Sequence, residues 1–256
     1  VAYNLFIDPG KKIYIRNVNI SGNDKTRDVV VRRELRQEEA ALYNSADIKR
    51  SKDRLDVLGY FKSADVTTTP VPGVNEQVDM NVKVVENNTG GINFGVGYAQ
   101  GQGVILNGGI TQSNLFGSGK SASLNASTSA LNQSISLSFT DPYYMSNGTS
   151  LGYDIYDNSY TPNNAGISPY SNTTLGARIR TSIPVSEFDR INLSLGFENS
   201  QISITSATAP LRMVQFTNQY GNSVNAIPFT ASWARNTTDS ALWPTTGANY
   251  AQTASV

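Results

Sequence analysis

From residue 89 onward, apolar and polar residues alternate at every second position. This period places apolar side chains on one face of an extended chain and polar side chains on the other, so it predicts β-strands. Eight such segments and a weaker ninth near residues 247–256 give about eight or nine strands. The apolar positions that define the eight are Ile92, Phe94, Val96 and Tyr98; Val104, Leu106 and Ile110; Ala122, Leu124 and Ala126; Ile135, Leu137 and Phe139; Leu151, Tyr153 and Ile155; Leu175, Ala177 and Ile179; Ile191, Leu193, Leu195 and Phe197; and Ile227, Phe229, Ala231 and Trp233.

Two architectures produce such alternation: a soluble antiparallel sandwich and a transmembrane antiparallel β-barrel. The composition of the polar face separates them. A sandwich turns that face to bulk water and usually carries Lys and Glu there, whereas these segments carry Ser, Asn, Thr, Gly and a few Arg. Small neutral polar groups suit an enclosed, hydrated interior. The pattern therefore favours the barrel, with the sandwich as the alternative.

The connections between the predicted strands also differ in an alternating way. Every other connection carries large aromatic residues, while two of the remaining connections are long and polar, near residues 157–172 and 199–225. Alternate connections of an antiparallel barrel lie at the same membrane face, so this pattern predicts one face with short turns and an aromatic belt. The residues of this predicted membrane interface are Phe116, Tyr143, Tyr144, Phe188 and Trp243.

Residues 11–87 follow a different pattern, with the order β-α-α-β-β. An alternating segment from Ile13 to Ile20 predicts a strand. Thr26 is a candidate N-cap for a helix that extends to about Gln37, and Ser45 is a candidate N-cap for a second helix that ends at Gly59 in a left-handed conformation. Two further strands are predicted at residues 61–69 and 78–86. This order predicts a small α+β domain.

The first ten residues resemble the last strand of that domain. Val1, Tyr3, Leu5 and Ile7 alternate in the same way as Val78, Met80, Val82 and Val84, and each run is followed by a turn and another strand. Residues 1–10 are therefore interpreted as the end of a preceding copy of the module. A chance likeness between two ordinary strands is the alternative.

Charge is distributed unevenly along the 256 residues. Residues 1–88 contain 27 charged side chains and residues 89–256 contain 13, with 20 basic and 20 acidic side chains in total. The net charge of zero argues against nucleic acid as a partner. The sequence contains no His and no Cys, which excludes Ser-His-Asp chemistry, Cys nucleophiles, structural zinc and disulfides. Asp154, Asp157 and Glu198 are the carboxylates that a glycan-processing enzyme could use, but nothing in the sequence places them together.

Several local motifs resemble those of the BamA family of outer-membrane protein assembly factors. The resemblance implies an α+β POTRA domain followed by an incomplete transmembrane barrel. Residues 1–10 would end a preceding POTRA domain, residues 11–87 would form the membrane-proximal POTRA domain, and residues 88–256 would form the first half of the barrel. The family's later Arg-Gly-aromatic loop does not occur here, so either the chain is a piece of a longer protein or other material completes the barrel. The motifs are Gly22-Asn23-Asp24, Arg54-Leu55, Leu58-Gly59-Tyr60-Phe61, Asn88-Thr89-Gly90, Asn114-Leu115-Phe116-Gly117 and Asp141-Pro142-Tyr143.

The resemblance also implies a function without catalysis, cofactor or metal. Nascent outer-membrane proteins would add a terminal strand to the first barrel strand, at a weak seam in the outer membrane. Glycines weaken that strand, although they could instead allow close packing across a narrow barrel. The strand residues implied as the template are Gly91, Ile92, Asn93, Phe94, Gly95, Val96, Gly97 and Tyr98.

The POTRA domain would lie in the periplasm, where the resemblance implies that Arg32 and Glu39 contact an accessory lipoprotein of the assembly complex. A solvated helix face with little energetic content is the alternative interpretation of these two charges. Two other functions stay open for the whole chain. A secretion transporter of the same superfamily would share both domains, and a passive porin would share the strand pattern without needing the POTRA domain.

Overall fold

The computed structural model describes residues 11–162, 170–204, 209–238 and 245–256. The predicted end of a preceding POTRA domain at residues 1–10 and the predicted interface residue Trp243 lie outside the described residues. The chain divides into two compact units. The first contains the described residues up to Thr89 together with Phe116–Ser118, and the second contains Gly90–Leu115 and the residues from Gly119 onward.

The first unit has the predicted β-α-α-β-β order. Its three strands form one sheet in the order β1-β3-β2, in which β1 runs parallel to β3 and β2 runs antiparallel to it. Because β3 is the central strand, both of its edges are hydrogen-bonded to a neighbouring strand. The elements are β1 (Tyr14–Ser21), α1 (Asp28–Arg32), α2 (Ser45–Val57), β2 (Phe61–Pro70) and β3 (Gln77–Glu86).

The core of this unit lies between the sheet and the two helices. Met80, Val82 and Val84 occupy every second position of β3, so their side chains point to the same face of the sheet. All three are fully buried. They pack with residues from every other element of the unit. The other members of the core are Ile15, Val18, Val30, Val31, Leu55, Tyr60, Phe61 and Ala64.

Both predicted helix caps are wrong, and so is the length of the first helix. The N-cap residue of α1 is Arg27, which makes no side-chain cap, and the buried Thr26 instead donates its backbone N–H to Glu86. Asn44 caps α2 by accepting a hydrogen bond from the Ala46 N–H at 3.0 Å. The predicted left-handed conformation of Gly59 is confirmed, with φ of +69°.

Tertiary contacts explain why α1 ends at Arg32 and does not continue to Gln37. Glu34 is buried and pairs with Arg54 of α2 at 2.6 Å. The Arg36 backbone N–H donates to the Ser51 hydroxyl at 2.8 Å, so it is not available to a helix. A propensity for helix in the segment is overridden by polar partners that the sequence pattern does not reveal.

The second unit is one antiparallel sheet, and the predicted α+β POTRA domain followed by a partial antiparallel barrel is confirmed as the fold class. The strand order is β13-β12-β10-β9-β8-β7-β6-β5-β4. The short strand β11 is not part of this order and pairs with β10. Strands β4 and β13 lie at the two ends of the order. The strands are β4 (Gly90–Ala99), β5 (Gly103–Gln112), β6 (Ser121–Thr128), β7 (Asn132–Asp141), β8 (Ser150–Tyr160), β9 (Tyr170–Pro184), β10 (Asp189–Ile204), β11 (Ser223–Ala226), β12 (Phe229–Asn236) and β13 (Asn249–Ser255).

The long polar loop predicted near residues 199–225 is wrong. Strand β10 continues to Ile204, and helix α3 (Leu211–Tyr220) and the short strand β11 follow, which raises the number of strands from the predicted eight or nine to ten. Polar residues between the apolar ones of α3 obscure its period in the sequence. Within the helix, Phe216 and Tyr220 are one turn apart and their rings lie 5.2 Å from each other.

The strand register gives the sheet one apolar and one polar face. Ile92, Ile110, Leu124, Leu137 and Ile155 stand directly opposite one another across five successive strands. These side chains are exposed, and the hydrophobic cluster found in the described part of the chain lies entirely in the first unit. The sandwich alternative is wrong, because a sandwich would bury this face against a second sheet. None of the helices in the described ranges is long and apolar enough to cross a membrane.

We predict that Gly22→Ala destabilises the first unit much more than Gly73→Ala. Both glycines have a left-handed φ near +80°, which costs an alanine about 1–2 kcal/mol. A Cβ atom at Gly22 would also overlap the Val84 carbonyl oxygen in the middle of the core sheet, whereas a Cβ atom at Gly73 meets nothing within 4 Å.

Hydrogen exchange of the β3 backbone amides in the full-length protein measures the difference. Exchange should accelerate strongly in Gly22→Ala and only slightly in Gly73→Ala. Equal effects of the two substitutions would contradict the steric argument.

Candidate functional site

Strand β4 is the predicted template, and it lies at one end of the sheet. It pairs with β5 along its whole length, from Gly90 opposite Gln112 to Ala99 opposite Gly103. Among the described residues its other edge has no partner strand. Ile92 is 82% exposed and Phe94 is 75% exposed, because this strand has a neighbour on one side only. The predicted template residues Gly91 to Tyr98 therefore lie together on one edge strand.

Three glycines of β4, Gly91, Gly95 and Gly97, are not required by close packing within the described part of the chain. A Cβ atom at Gly91 would meet nothing within 4 Å, and one at Gly97 would lie 4.0 Å from Ile105, which is an ordinary contact. At Gly95 the nearest atom is the Asn107 amide nitrogen at 3.6 Å. The alternative that these glycines serve close packing thus finds no support here. These glycines do weaken the strand, because each one destabilises it by about 0.5–1 kcal/mol relative to alanine.

Gly109 of β5 behaves differently from the glycines of β4. Asn93 of β4 and Asn125 of β6 stand opposite it on either side. A Cβ atom at Gly109 would overlap the Asn93 side-chain oxygen and would lie 2.7 Å from that of Asn125. The two amide groups therefore occupy the space above Gly109. Sequence analysis missed this arrangement, because only the register brings the three positions into one row.

A network of charged and polar side chains crosses the polar face further along the sheet. Asp154 of β8 is buried and accepts hydrogen bonds from Ser138 of β7 at 2.7 Å and from Arg178 and Arg180 of β9 at 3.2 and 3.0 Å. Next to it, the Tyr156 hydroxyl donates to Glu198 of β10. Four neighbouring strands, β7 to β10, are thus joined by side chains.

These side-chain links are concentrated away from β4. Pairs of hydroxyl groups add to the network, with Ser159 to Thr173 at 3.0 Å and Thr174 to Ser200 at 2.9 Å. Nearer to β4, Ser127 of β6 donates to Asn107 of β5 at 2.8 Å. The polar face therefore braces the middle of the sheet through charged as well as neutral side chains.

The carboxylates considered for a glycan-processing enzyme are not brought together. Asp154 and Glu198 lie on the polar face, where each already has a hydrogen-bond donor. Asp157 stands opposite Ile135 and Leu175 on the apolar face. Two carboxylates that flank one substrate bond must share a face, so Asp157 cannot act together with Asp154 or Glu198. Within the described ranges no three His, Cys, Asp or Glu side chains are grouped as metal ligands would be.

Arg32 and Glu39 are brought together on the surface of the first unit. Arg32 donates to Asp28 at 3.0 Å and to Glu39 at 3.4 Å, and Glu39 also accepts the Val18 backbone N–H at 2.9 Å. The hydrogen bond to Asp28 raises the pKa of Arg32 and outweighs the lowering caused by its partial burial. Glu39 therefore has a structural role in addition to its exposed charge.

The described aromatic residues predicted at the membrane interface lie on alternate connections. Phe116 follows β5, Tyr143 and Tyr144 follow β7, and Phe188 follows β9. Because all neighbouring strands are antiparallel, these connections leave the sheet at the same end. Phe116, Tyr144 and Phe188 are exposed and Tyr143 is half-buried.

Comparison with known proteins identifies the family. The model of the Omp85 superfamily domain matches residues 114–256, which is more than half of the chain. The chain belongs to the Omp85 superfamily. The model described as "Surface antigen variable number repeat", a POTRA model, matches residues 13–87. The POTRA model therefore matches the first unit, and the Omp85 model matches most of the second.

Individual Omp85 relatives agree with this assignment. The chain is 44% identical to the outer membrane protein assembly factor BamA of Neisseria meningitidis, over 96% of this chain and 32% of the relative. It resembles the structure of BamA from Haemophilus ducreyi lacking POTRA domains 1–3, with 30% identity, a TM-score of 0.72, and coverage of 97% of this chain and 49% of that one. The predicted resemblance to BamA is confirmed. The chain spans about a third of the length of the Neisseria relative.

A more distant solved structure shares only the fold. CdiB from Acinetobacter baumannii matches with 16% identity and a TM-score of 0.58, over 95% of this chain and 46% of that one. An identity this low shows a common architecture and carries no functional argument.

We predict that Gly109→Ala loosens β4 from β5, whereas Gly108→Ala does not. The methyl group at position 109 must displace the Asn93 side chain, which disturbs the β4 edge. At Gly108, on the opposite face, a Cβ atom meets nothing within 4 Å.

Hydrogen exchange of the β4 backbone amides in the full-length protein should be faster in Gly109→Ala than in the wild type. The Gly108→Ala variant serves as the control for adding a methyl group to β5. If exchange in the two variants is the same, the amides of Asn93 and Asn125 do not hold the edge strand.

Proposed function

We propose that the full-length protein containing this chain inserts and folds outer-membrane β-barrel proteins, with β4 as the template for an incoming strand. The observation that carries this proposal is the edge position of β4 together with the similarity to BamA. The protein acts in the bacterial outer membrane, with its POTRA domain, residues 11–87, in the periplasm and residues 88–256 in the bilayer. No bond is made or broken in this reaction, so the protein is not an enzyme.

Backbone hydrogen bonding provides the driving force for the proposed reaction. An unpaired N–H or C=O group in the hydrocarbon region costs several kcal/mol, so an exposed strand edge and an unfolded substrate strand gain by pairing with each other. The exposed side chains of Ile92, Phe94, Val96 and Tyr98 continue the apolar face of the sheet. A substrate strand with the same alternation would extend both faces without a break.

The composition of β4 makes the pairing reversible. Four of its ten residues are glycine, whereas β13 at the other end of the strand order contains none. Glycine-rich strands pair weakly, which allows a substrate strand to join and later leave. The side-chain links that join β7 to β10 support the same assignment, since a template edge must open while the rest of the wall stays intact.

Nothing observed favours the other two functions. The likeness between this chain and CdiB is one of fold only, so it does not support the secretion-transporter alternative. A passive porin has no use for the POTRA domain that the first unit matches.

Two further contacts belong to this proposal. The Arg32–Glu39 pair contacts an accessory lipoprotein of the assembly complex, because the two charges are exposed next to each other on the POTRA domain. Phe116, Tyr143, Tyr144 and Phe188 lie at the periplasmic membrane interface, where amphipathic and large aromatic rings are favoured. The bilayer and the nascent outer-membrane proteins are the remaining partners.

We predict that single cysteines at Ile92 or Val96 in the full-length protein form disulfides with a cysteine in the terminal strand of a stalled substrate. Both residues lie on β4, whose outer edge has no partner strand among the described residues, and directly opposite residues in paired strands come within disulfide distance. This chain contains no Cys of its own to compete. Non-reducing gel electrophoresis of the stalled complex detects the product.

Leu137→Cys is the matched control for this experiment. Leu137 lies on the same apolar face and is exposed, but its strand β7 is paired on both sides by β6 and β8. Cross-linking at position 137 as strong as at 92 and 96 would mean that the substrate contacts the apolar face without pairing to β4.

We predict that Arg32→Glu reduces the co-purification of the accessory lipoprotein with the full-length protein by about tenfold or more. Reversing a charge at an interface replaces an attraction by a repulsion. Arg32 is a better site for this test than Glu39, because Glu39 also accepts the Val18 backbone N–H.

Lys52→Glu provides the control for charge reversal. Lys52 belongs to another exposed ion pair of the same unit, with Asp65 at 3.6 Å. Recovery of the lipoprotein should be unchanged in this variant. Equal recovery with Arg32→Glu and with the wild type would remove the proposed contact.

A further inference from the structure

Arg178 and Arg180 share a single carboxylate on the polar face of the sheet. The Asp154 side chain is 7% exposed, and its Oδ2 accepts from the Nε atoms of both arginines, at 3.2 and 3.0 Å. Among the described residues no second carboxylate lies within 4.0 Å of either guanidinium. These three side chains together carry a net charge of +1, and the Glu198 carboxylate is the next acidic group on the same face.

The surroundings hold both arginines in fixed positions. A Cβ atom at Gly152 would lie 3.0 Å from the Arg180 side chain, so Arg180 lies directly across this glycine, and its Nη2 donates to the Thr140 hydroxyl at 2.7 Å. The Arg178 guanidinium carbon is 5.7 Å from the centre of the Tyr156 ring. Tyr156 in turn donates to Glu198, which fixes the ring beneath Arg178.

The remaining donors of the two arginines face an open cavity of about 370 Å³. The Arg178 side chain is 44% exposed and the Arg180 side chain is 42% exposed, although their Nε atoms are engaged with Asp154. Most of the other residues that line the cavity carry a hydroxyl or amide group. Those on the same polar face include Ser150, Ser182, Asn192 and Ser194.

We propose that Arg178 and Arg180 form an oxyanion-binding site that takes a carboxylate or a phosphate group. A guanidinium group offers paired N–H donors that match the two oxygens of such a group, and the hydroxyl groups supply further donors. The excess positive charge disfavours a cation at the same place. Because the arginines are already held by Asp154 and their neighbours, little side-chain entropy is lost when the anion binds. This site lies on β9, away from the template edge, and it does not depend on the proposed function.

The test is isothermal titration calorimetry on the full-length protein in detergent at low ionic strength. One series uses inorganic phosphate as the probe, and a second uses a short peptide of glutamate residues. We expect Arg178→Gln and Arg180→Gln each to weaken the binding of at least one probe by about tenfold or more, as expected for the loss of a charge-assisted pair of hydrogen bonds. Arg212→Gln on helix α3 is the matched control, and it should bind as the wild type does.

The two series distinguish the possible sources of the anion. Arginine-dependent binding of phosphate alone identifies a free anion as the ligand, and arginine-dependent binding of the peptide identifies an acidic polypeptide segment. If a glutamine variant does not fold, the corresponding lysine variant keeps the charge but loses the paired N–H groups, and its affinity should fall by about threefold or more. The proposal is overturned if the wild type shows no saturable binding of either probe, or if the folded arginine variants bind both probes as the wild type does.

Discussion

The structure of the second unit depends on one requirement, which is that every backbone N–H and C=O group in the hydrocarbon region must have a hydrogen-bond partner. An antiparallel sheet meets this requirement everywhere except at its outermost strands. Strand β4 is such a strand, and its apolar side chains are already suited to acyl chains. The feature that would be an aggregation hazard in a soluble protein thus becomes a site where a second strand gains free energy by pairing. The location of the proposed function follows from this requirement and needs no catalytic group.

A template edge must be weak, while the wall that carries it must not be, and the polar face provides this difference. In the middle of the sheet, Asp154, Arg180 and their hydroxyl partners join β7, β8 and β9. Such links add to the backbone ladder, and a low local dielectric strengthens them. Near β4, glycine and asparagine take the place of the charged side chains. The proposed function would thus combine a wall braced by charged groups with an edge that exchanges partners.

The sequence predicts those features of the fold that depend on local periodicity. Alternation with a period of two locates the strands and assigns each side chain to a face, and the small, mostly neutral side chains of the polar face correctly favour a barrel over a sandwich. The early end of α1 was not predictable, since it depends on Ser51 and Arg54, which are distant in sequence. The Asp154 network was missed for the same reason, because its members belong to three strands and meet only when the register is known. Sequence patterns thus predict faces well and contacts across strands poorly.

Glycine shows most clearly why the register is needed to assign a role. In the sequence, Gly91, Gly97 and Gly109 are alike, since each interrupts an alternating strand. In the structure, a side chain would fit at Gly91 and Gly97, whereas at Gly109 two asparagine side chains from neighbouring strands already fill the space. The first two glycines therefore act through the conformational freedom that they give the strand, and the third acts through the room that it leaves for its neighbours. Weak pairing of β4 and correct placement of Asn93 are thus two separate properties, which the same residue type provides for different physical reasons.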